Sequence, residues 1–208
     1  MPALRRRSLL AGAALAAALP LASLPVTGAR AQPGTRRIRG TLASVASDRL
    51  TVLTANGETV AVGITDRTPV TVIAPATRAA LKQGAYIGTA AAPIPGGGWR
   101  ALEVHVFSDA MRGVGEGDRP WDGESTTMTN ATIGAVTGSD GSTIRLAYKG
   151  GEKTVTVAPG TPIVTMDRGT QALLTRGAHV SISAATGDGG ALTARFVAVG
   201  KDGYAPPL

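Results

Sequence analysis

The stretch RGTLASVASDRLTVLTANGETVAV, residues 39–62, returns in altered form as NATIGAVTGSDGSTIRLAYKGGEKTVTV, residues 130–157. A second pair of similar segments follows in the same order, LKQGAYIGTA at 81–90 and LTRGAHVSIS at 174–183. Because both pairs keep nearly the same spacing along the chain, they indicate internal duplication of one small fold. We expect features shared by both copies to be scaffold, and a specific activity to lie in features that only one copy has.

Each copy contains short runs rich in Val, Ile, Leu and Thr that are separated by turn residues, a pattern that predicts β-strands. Asn56-Gly57 and Gly150-Gly151 occupy matching places between such runs and predict a tight hairpin in each copy. Three strands, one short helix (76–81 and 170–174) and two further strands predict an all-β protein of two tandem OB-like five-stranded β-barrels. An open roll or sandwich with the same strand order stays open.

The first 31 residues have the features of an export signal. Three arginines, Arg5 to Arg7, precede an apolar run from 9 to 24, and Ala29-Arg30-Ala31 provides a small-x-small cleavage pattern. The prediction is a cleavable signal peptide and a periplasmic or secreted protein that is not stably inserted in a membrane after cleavage. The run RRSLL at 6–10 also fits the twin-arginine pattern, and both this route and ordinary secretion stay open.

The predicted domains are a signal peptide at 1–31, a first barrel at 32–107, an ordered acidic linker containing glycine and tryptophan at 108–128, and a second barrel with a C-terminal tail at 129–208. The linker includes SDAMRGVGEGDRPWDGES, residues 108–125, which has no counterpart of comparable length. A flexible linker would lack large apolar side chains, whereas this one carries Met111 and Trp121. We therefore expect it to pack on a barrel.

Charge and composition exclude several classes of function. Loss of residues 1–31, which hold four arginines and no acid, lowers the formal net charge from +7 to +3. With only two Phe, two Trp and three Tyr, the chain also lacks the stacking surface of single-strand binders, so we expect no nucleic-acid partner. The absence of cysteine excludes disulfides, thiolate catalysis and thiolate metal sites.

A resemblance is carried by the run EVHVFSDAMRGVGEGDRPWDGESTTMTNATI at 103–133, with YKGGEKTV at 148–155 and VGKDGYAPPL at 199–208. In these segments the chain resembles a family of small exported bacterial proteins of unknown function. The resemblance implies a signal peptide and two copies of a β-rich domain, and no established activity. Family members commonly have histidine where this chain has Asp118 and glutamate where it has Asp109. Similar proteins are often labelled as permeases of metal transporters, but the single apolar stretch here is the predicted signal peptide.

Two polar residues distinguish the last strand of the first copy. Strict alternation places Leu102, Val104 and Val106 in the core and turns Glu103 and His105 outward.

In the second copy, Arg195 and Val197 align with this polar pair. Glu103 and His105, completed by Asp118 or alternatively by Glu116 or Asp122 from the linker, could hold a divalent metal ion through nitrogen and oxygen ligands. The alternative is that His105 packs or hydrogen-bonds where the strand meets the linker. The only cofactor considered is therefore a divalent metal, and otherwise none is expected.

No catalytic motif accompanies these residues. There is no G-x-S-x-G turn, and His179, the other histidine, is predicted to lie on the surface. The prediction is thus a non-catalytic periplasmic module that binds an unidentified envelope protein or small ligand. The alternatives are a metal-binding accessory protein of a transport system and an enzyme of unrecognised type. The predicted binding surface consists of Glu103, His105, Arg112, Glu116, Asp118, Arg119, Trp121 and Asp122.

Overall fold

The computed structural model describes residues 34–121, 125–138 and 142–207, so the predicted signal peptide lies outside the described residues. The described part is all-β, which confirms the predicted class. Its strands are β1 (Thr35–Val45), β2 (Arg49–Thr54), β3 (Thr59–Gly63), β4 (Val70–Pro75), β5 (Tyr86–Pro93), β6 (Trp99–Phe107), β7 (Gly117–Pro120), β8 (Thr127–Thr137), β9 (Thr143–Tyr148), β10 (Gly151–Thr156), β11 (Ile163–Arg168), β12 (His179–Thr186) and β13 (Leu192–Gly200).

The helices of the described residues are short 3-10 turns, at Arg78–Ala80, Asp109–Met111, Gln171–Leu173, Asp188–Gly190 and Lys201–Gly203. The first and third of these occupy the places where the sequence predicts a short helix in each copy. No helix in the described ranges has the length and apolar character needed to cross a bilayer.

The predicted hairpins are present in both copies. Strands β2 and β3 pair antiparallel around the turn that contains Gly57, and β9 and β10 do the same around Gly150. Both glycines have positive φ, 81° and 103°, which a residue with a β-carbon rarely adopts. The duplicated turn residues thus produce the same local structure twice.

Strand pairing follows two closed circuits. In the first circuit β1 pairs with β2, β2 with β3, β3 with β13 in parallel, β13 with β12, and β12 with β1. In the second circuit β8 pairs with β9, β9 with β10, β10 with β6 in parallel, β6 with β5, and β5 with β8. Each circuit contains five strands and combines three strands from one copy of the repeat with two from the other.

Strands β4 and β11 connect the two circuits. They pair antiparallel with each other, while β4 runs parallel to β13 of the first circuit and β11 runs parallel to β6 of the second. Ile73 lies opposite Met166 in this central ladder, and these two residues occupy the same position in the two copies. The duplicated halves are therefore related by an approximate twofold axis that passes through the Ile73–Met166 pair.

The apolar cores follow the circuits. One cluster combines residues of β1 to β4 with residues from 174 onward, including Leu42, Val52, Ile182 and Val197. The second cluster lies wholly between Leu81 and Val157 and includes Ile87, Val104, Ile133, Ile144 and Leu146. Two tandem barrels would pair their strands within the ranges 32–107 and 129–208, whereas here each range contributes strands to both clusters. The second core belongs to one continuous middle segment, and the chain on either side of it forms the first.

We predict that a fragment of residues 81–157 folds alone and that a fragment of residues 34–107 does not. The middle fragment holds a complete circuit and its core, whereas the amino-terminal fragment has β5 and β6 without the strands that cover them. Far-UV circular dichroism and urea titration measure this directly. Cooperative unfolding of the 34–107 fragment by itself would contradict the pairing described above.

Candidate functional site

Strand β6, which carries the predicted polar pair, contains a β-bulge. Ala90 of β5 pairs with Glu103 and Ala91 pairs with Ala101, so Leu102 is an extra residue in the ladder. Ala101 and Val104 are buried in the second core cluster, and Leu102 is only half-buried and lies outside it. The predicted core position of Leu102 is therefore wrong, because a bulge interrupts strict alternation.

The duplicate strand β13 has the same bulge, at Arg195, between the pairs Ser183–Phe196 and Ala184–Ala194. Strand register places Val104 and Val197 at equivalent positions, each beside the first residues of the neighbouring parallel strand. Phe196 and Ala198 are consequently the counterparts of Glu103 and His105. The sequence alignment that matched Arg195 and Val197 with them was one residue out of register.

Glu103 and His105 face away from the second core cluster, but they do not face solvent. Glu103 is 1% exposed, and its Oε1 is hydrogen-bonded to His105 Nε2. The other oxygen, Oε2, is buried and has no hydrogen-bond partner in the described residues. The pair is thus an enclosed polar group, in contrast to the predicted surface pair.

Burial controls the protonation of this pair. Loss of solvation raises the pKa of Glu103 to about 7, against the opposing charges of Arg39 and Arg37. Burial also lowers the pKa of His105 to about 4, and the Arg37 charge acts in the same direction. At mildly acidic pH both groups are therefore neutral, with the Glu103 hydroxyl donating to His105 Nε2.

The described part of the unrepeated segment, which runs to Trp121, is held by contacts at several points. Val114 O accepts hydrogen bonds from Tyr86 Oη at 3.1 Å and from Asn130 Nδ2 at 3.0 Å. Further on, β7 pairs with β8, and Trp121 lies against Arg37 of β1, whose guanidinium carbon is 4.1 Å from the ring centroid. The segment therefore reaches from the second circuit to the first.

Asp118 helps to hold the unrepeated segment against strands β8 and β10. Its Oδ1 accepts hydrogen bonds from Lys153 Nζ at 2.9 Å and from Thr129 Oγ1 at 2.6 Å. Burial acts to raise the pKa of Asp118, but these hydrogen bonds and the Lys153 charge together hold it below its usual value. Lys153 is itself 6% exposed and lies 3.6 Å from the ring centroid of Trp99.

The remaining linker residues also have structural partners. Glu116 accepts from the Lys149 amide at 3.0 Å, while Arg112 donates to Gly84 O at 3.1 Å and pairs with Asp109 at 3.2 Å. Asp122 lies outside the described residues. Across the described ranges no three His, Asp or Glu side chains form a group suited to a metal ion, so the proposed set of Glu103, His105 and Asp118 stays a prediction.

A cavity of about 1180 Å³ lies beneath the unrepeated segment. Three of the predicted surface residues, His105, Arg119 and Trp121, line it, and Glu103 lies behind His105. The larger apolar side chains of the wall are Phe107, Phe196, Met111, Met128, Met166, Ile73 and Val70. Both phenylalanines of the chain, and every methionine except Met1, therefore face this one space.

Sequence reasoning missed most of this wall. Arg37, Ser181, Ser183, Met128 and Phe196 come from four strands that the exchange of strands between the copies brings together. The available signal was compositional. The chain has few phenylalanines and methionines, and they lie near the unrepeated segment or on strand faces opposite the two core clusters. The location of the cavity also depends on the pairing of β1 with β12, which the sequence does not reveal.

Comparisons of the chain with models of known protein families, with curated proteins and with solved structures give no significant match. An assignment of function therefore has to come from the geometry of the site.

Replacing the buried carboxyl group tests its protonation. The ordinary pKa of glutamate is lower than the value of about 7 in the folded protein, so the stability that Glu103 contributes is complete below the ordinary value and is lost as pH rises through about 7. We expect Glu103→Gln to gain about 1–3 kcal/mol of unfolding free energy relative to the natural protein between about pH 5 and about pH 8. Urea unfolding at both pH values measures the change.

The matched control is Glu152→Gln, whose side chain is 61% exposed. Its stability relative to the natural protein should not change with pH. A pH-independent difference for Glu103→Gln as well would show that Glu103 is not protonated in the folded protein.

Proposed function

We propose that this protein is an exported, non-catalytic binding module and that the cavity beneath the unrepeated segment holds its ligand, a small organic molecule. The cavity carries this proposal. At about 1180 Å³ it is slightly larger than the usual range for small-molecule sites, and its wall combines apolar side chains with polar and charged ones. Such a volume is far more than a metal ion needs.

Unsatisfied polar groups in the wall support the same proposal. Asn130 is 5% exposed and lines the cavity, and its Oδ1 is buried without a partner among the described residues. Thr71 also lines the cavity, and its Oγ1 is in the same state. Buried polar atoms are usually hydrogen-bonded. Two buried atoms without partners in one cavity wall are therefore expected where a bound ligand supplies the missing hydrogen bonds.

The fold part of the proposal is that each circuit of strands is an OB-like barrel. Both circuits have the strand order of a five-stranded Greek-key barrel, with one parallel closing contact, β3 with β13 and β10 with β6. The barrels are then exchanged between the two copies rather than arranged in tandem. The resemblance of residues 103–133 to an exported bacterial family, and the signal-like residues 1–31, support the periplasmic location that we propose.

The hydrogen bonds of both histidines favour binding over catalysis. His105 Nε2 is paired with Glu103, and His179 Nδ1 is 3.1 Å from Thr41 Oγ1 at the end of the β1–β12 ladder, on the same face as Ser181 and Ser183. Neither contact is the serine–histidine pair that an acyl-transfer mechanism requires.

Filling the cavity should weaken binding of a small apolar molecule. Ala198 lines the cavity and is 2% exposed, so Ala198→Leu directs extra volume into the ligand space. We expect saturable binding of the neutral dye N-phenylnaphthylamine to the natural protein and a dissociation constant raised about fivefold or more by Ala198→Leu. Dye fluorescence measures both constants.

Ala61→Leu is the control, because Ala61 is exposed on β3 and is far from the wall of the cavity. Its dissociation constant for the dye should equal that of the natural protein. An absence of saturable binding, or equal binding by both leucine variants, would rule out the cavity as the ligand site.

A further inference from the structure

We infer that the ligand is an amphiphilic organic anion, a molecule with one carboxylate-like head and a flexible apolar body. This inference rests on the proposed function and adds the chemical class of the ligand and its orientation. The inference has three grounds. They are the charge of the cavity wall, a chemical difference between the two duplicated strand pairs that contribute to the wall, and the type of apolar side chain in it.

The wall of the cavity carries an excess of positive charge. Its charged lining residues in the described ranges are Arg37, Arg119, Arg168, Arg195 and Asp66, with His105 the remaining titratable group. His105 is neutral near neutral pH because burial lowers its pKa to about 4. Four guanidinium groups against one carboxylate favour an anionic ligand over a neutral or cationic one.

Duplication provides an internal comparison of two walls. In the β1–β12 ladder Arg37 lies opposite Ser183, and both residues line the cavity. At the same position of the β8–β5 ladder, Met128 lies opposite Ala90.

The next position on the same faces also has an arginine in the first ladder alone. Ser181 of the first ladder lines the cavity and pairs with Arg39, and its counterpart Gly88 in the second ladder pairs with Asn130, which lines the cavity. One wall is thus cationic and rich in hydroxyl groups, and the equivalent wall across the approximate twofold axis is uncharged, with Met128 beside the amide of Asn130. A ligand that matches both walls has one charged end and one apolar end.

Two arginines mark the charged end. Arg37 and Arg119 both lie over Trp121, with guanidinium carbons 4.1 and 6.0 Å from its ring centroid, so they are close to each other. A second space of about 300 Å³, lined by both arginines, Thr35, Pro120 and Trp121, adjoins this part of the main cavity. Stacking engages the face of a guanidinium group, whereas a carboxylate binds at its edge, so one arginine can do both.

The apolar side chains indicate a flexible body. Met111, Met128 and Met166 line the cavity together with Phe107 and Phe196. Methionine side chains are unbranched and polarizable, and they adapt to ligands of variable shape better than branched aliphatic residues do. An acyl chain or an aryl-substituted alkyl chain fits such a wall, and both sources share the chemistry of a carboxylate on an apolar body.

The experiment compares ligands that share one tail and differ in the head. Displacement of N-phenylnaphthylamine from the mature protein is measured with dodecanoate, dodecanol and dodecyltrimethylammonium below their micelle concentrations, at about pH 6, where the dodecanoate carboxylate is ionised and Glu103 is protonated. We expect the dissociation constant of dodecanoate to be lower than those of dodecanol and dodecyltrimethylammonium by a factor of about ten or more. The acid 3-phenylpropanoate is tested alongside. Tighter binding of dodecanoate identifies an acyl chain as the apolar body of the ligand, and tighter binding of 3-phenylpropanoate identifies an aryl-substituted alkyl chain.

The variant Arg37→Met installs the residue that the duplicate wall has at this position. We expect it to weaken dodecanoate binding about tenfold and to leave dodecanol binding unchanged. Arg36→Met is the matched control, because the neighbouring Arg36 is exposed and pairs with Glu58 at 3.4 Å, and its binding of all probes should equal that of the natural protein. Retained dodecanol binding shows that a variant is folded. If the Arg37→Met variant is not folded, Arg119→Met takes its place in the test.

Equal affinity for dodecanoate and dodecanol, preference for the cationic probe, or an Arg37→Met variant that binds dodecanoate normally would each overturn the anionic class while leaving the cavity as a binding site. Failure of the natural protein to bind the dye or any of the probes would overturn both this inference and the proposed function. The two failures are therefore distinguishable within one set of titrations.

Discussion

The antiparallel pairing of β4 with β11 is the constraint on which the rest of the structure depends. Each strand leaves one circuit of the sheet, lies against the other strand in the centre, and is followed by a strand of the opposite circuit. This pairing fixes the exchange of strands between the copies and places Ile73 against Met166 on the approximate twofold axis. The cavity lies over this centre, with both residues in its wall, so the cavity exists only because the copies are interlaced.

Secondary structure was predictable because it depends on local sequence, and strand partners were not. The alternation of β-branched and polar residues and the glycines at 57 and 150 specify strands and hairpins whatever they pair with. Both copies have similar apolar faces, so the sequence fits pairing within each copy and exchange of strands between the copies equally well. The bulges at Leu102 and Arg195 were hidden for a related reason, since an extra residue in a ladder shows only when the partner strand is known.

The candidate site was partly predictable on the same grounds. Residues that only one copy has, such as His105, Arg119 and Trp121, line the cavity. Arg37 and Ser183 could not be found in this way because they lie in the repeated part, where sequence comparison treats them as scaffold. Their importance appears when Met128 and Ala90 are recognised as their structural counterparts.

The buried pair of Glu103 and His105 is a further difference between the two copies. An ionised carboxylate in this position would pay a large desolvation penalty, and the raised pKa shows that the protein meets that penalty by keeping the proton. The counterparts, Phe196 and Ala198, face the cavity without any polar group. A protonated Glu103 adds no negative charge beside the cavity wall, whereas an ionised Glu103 would repel an anionic ligand from it.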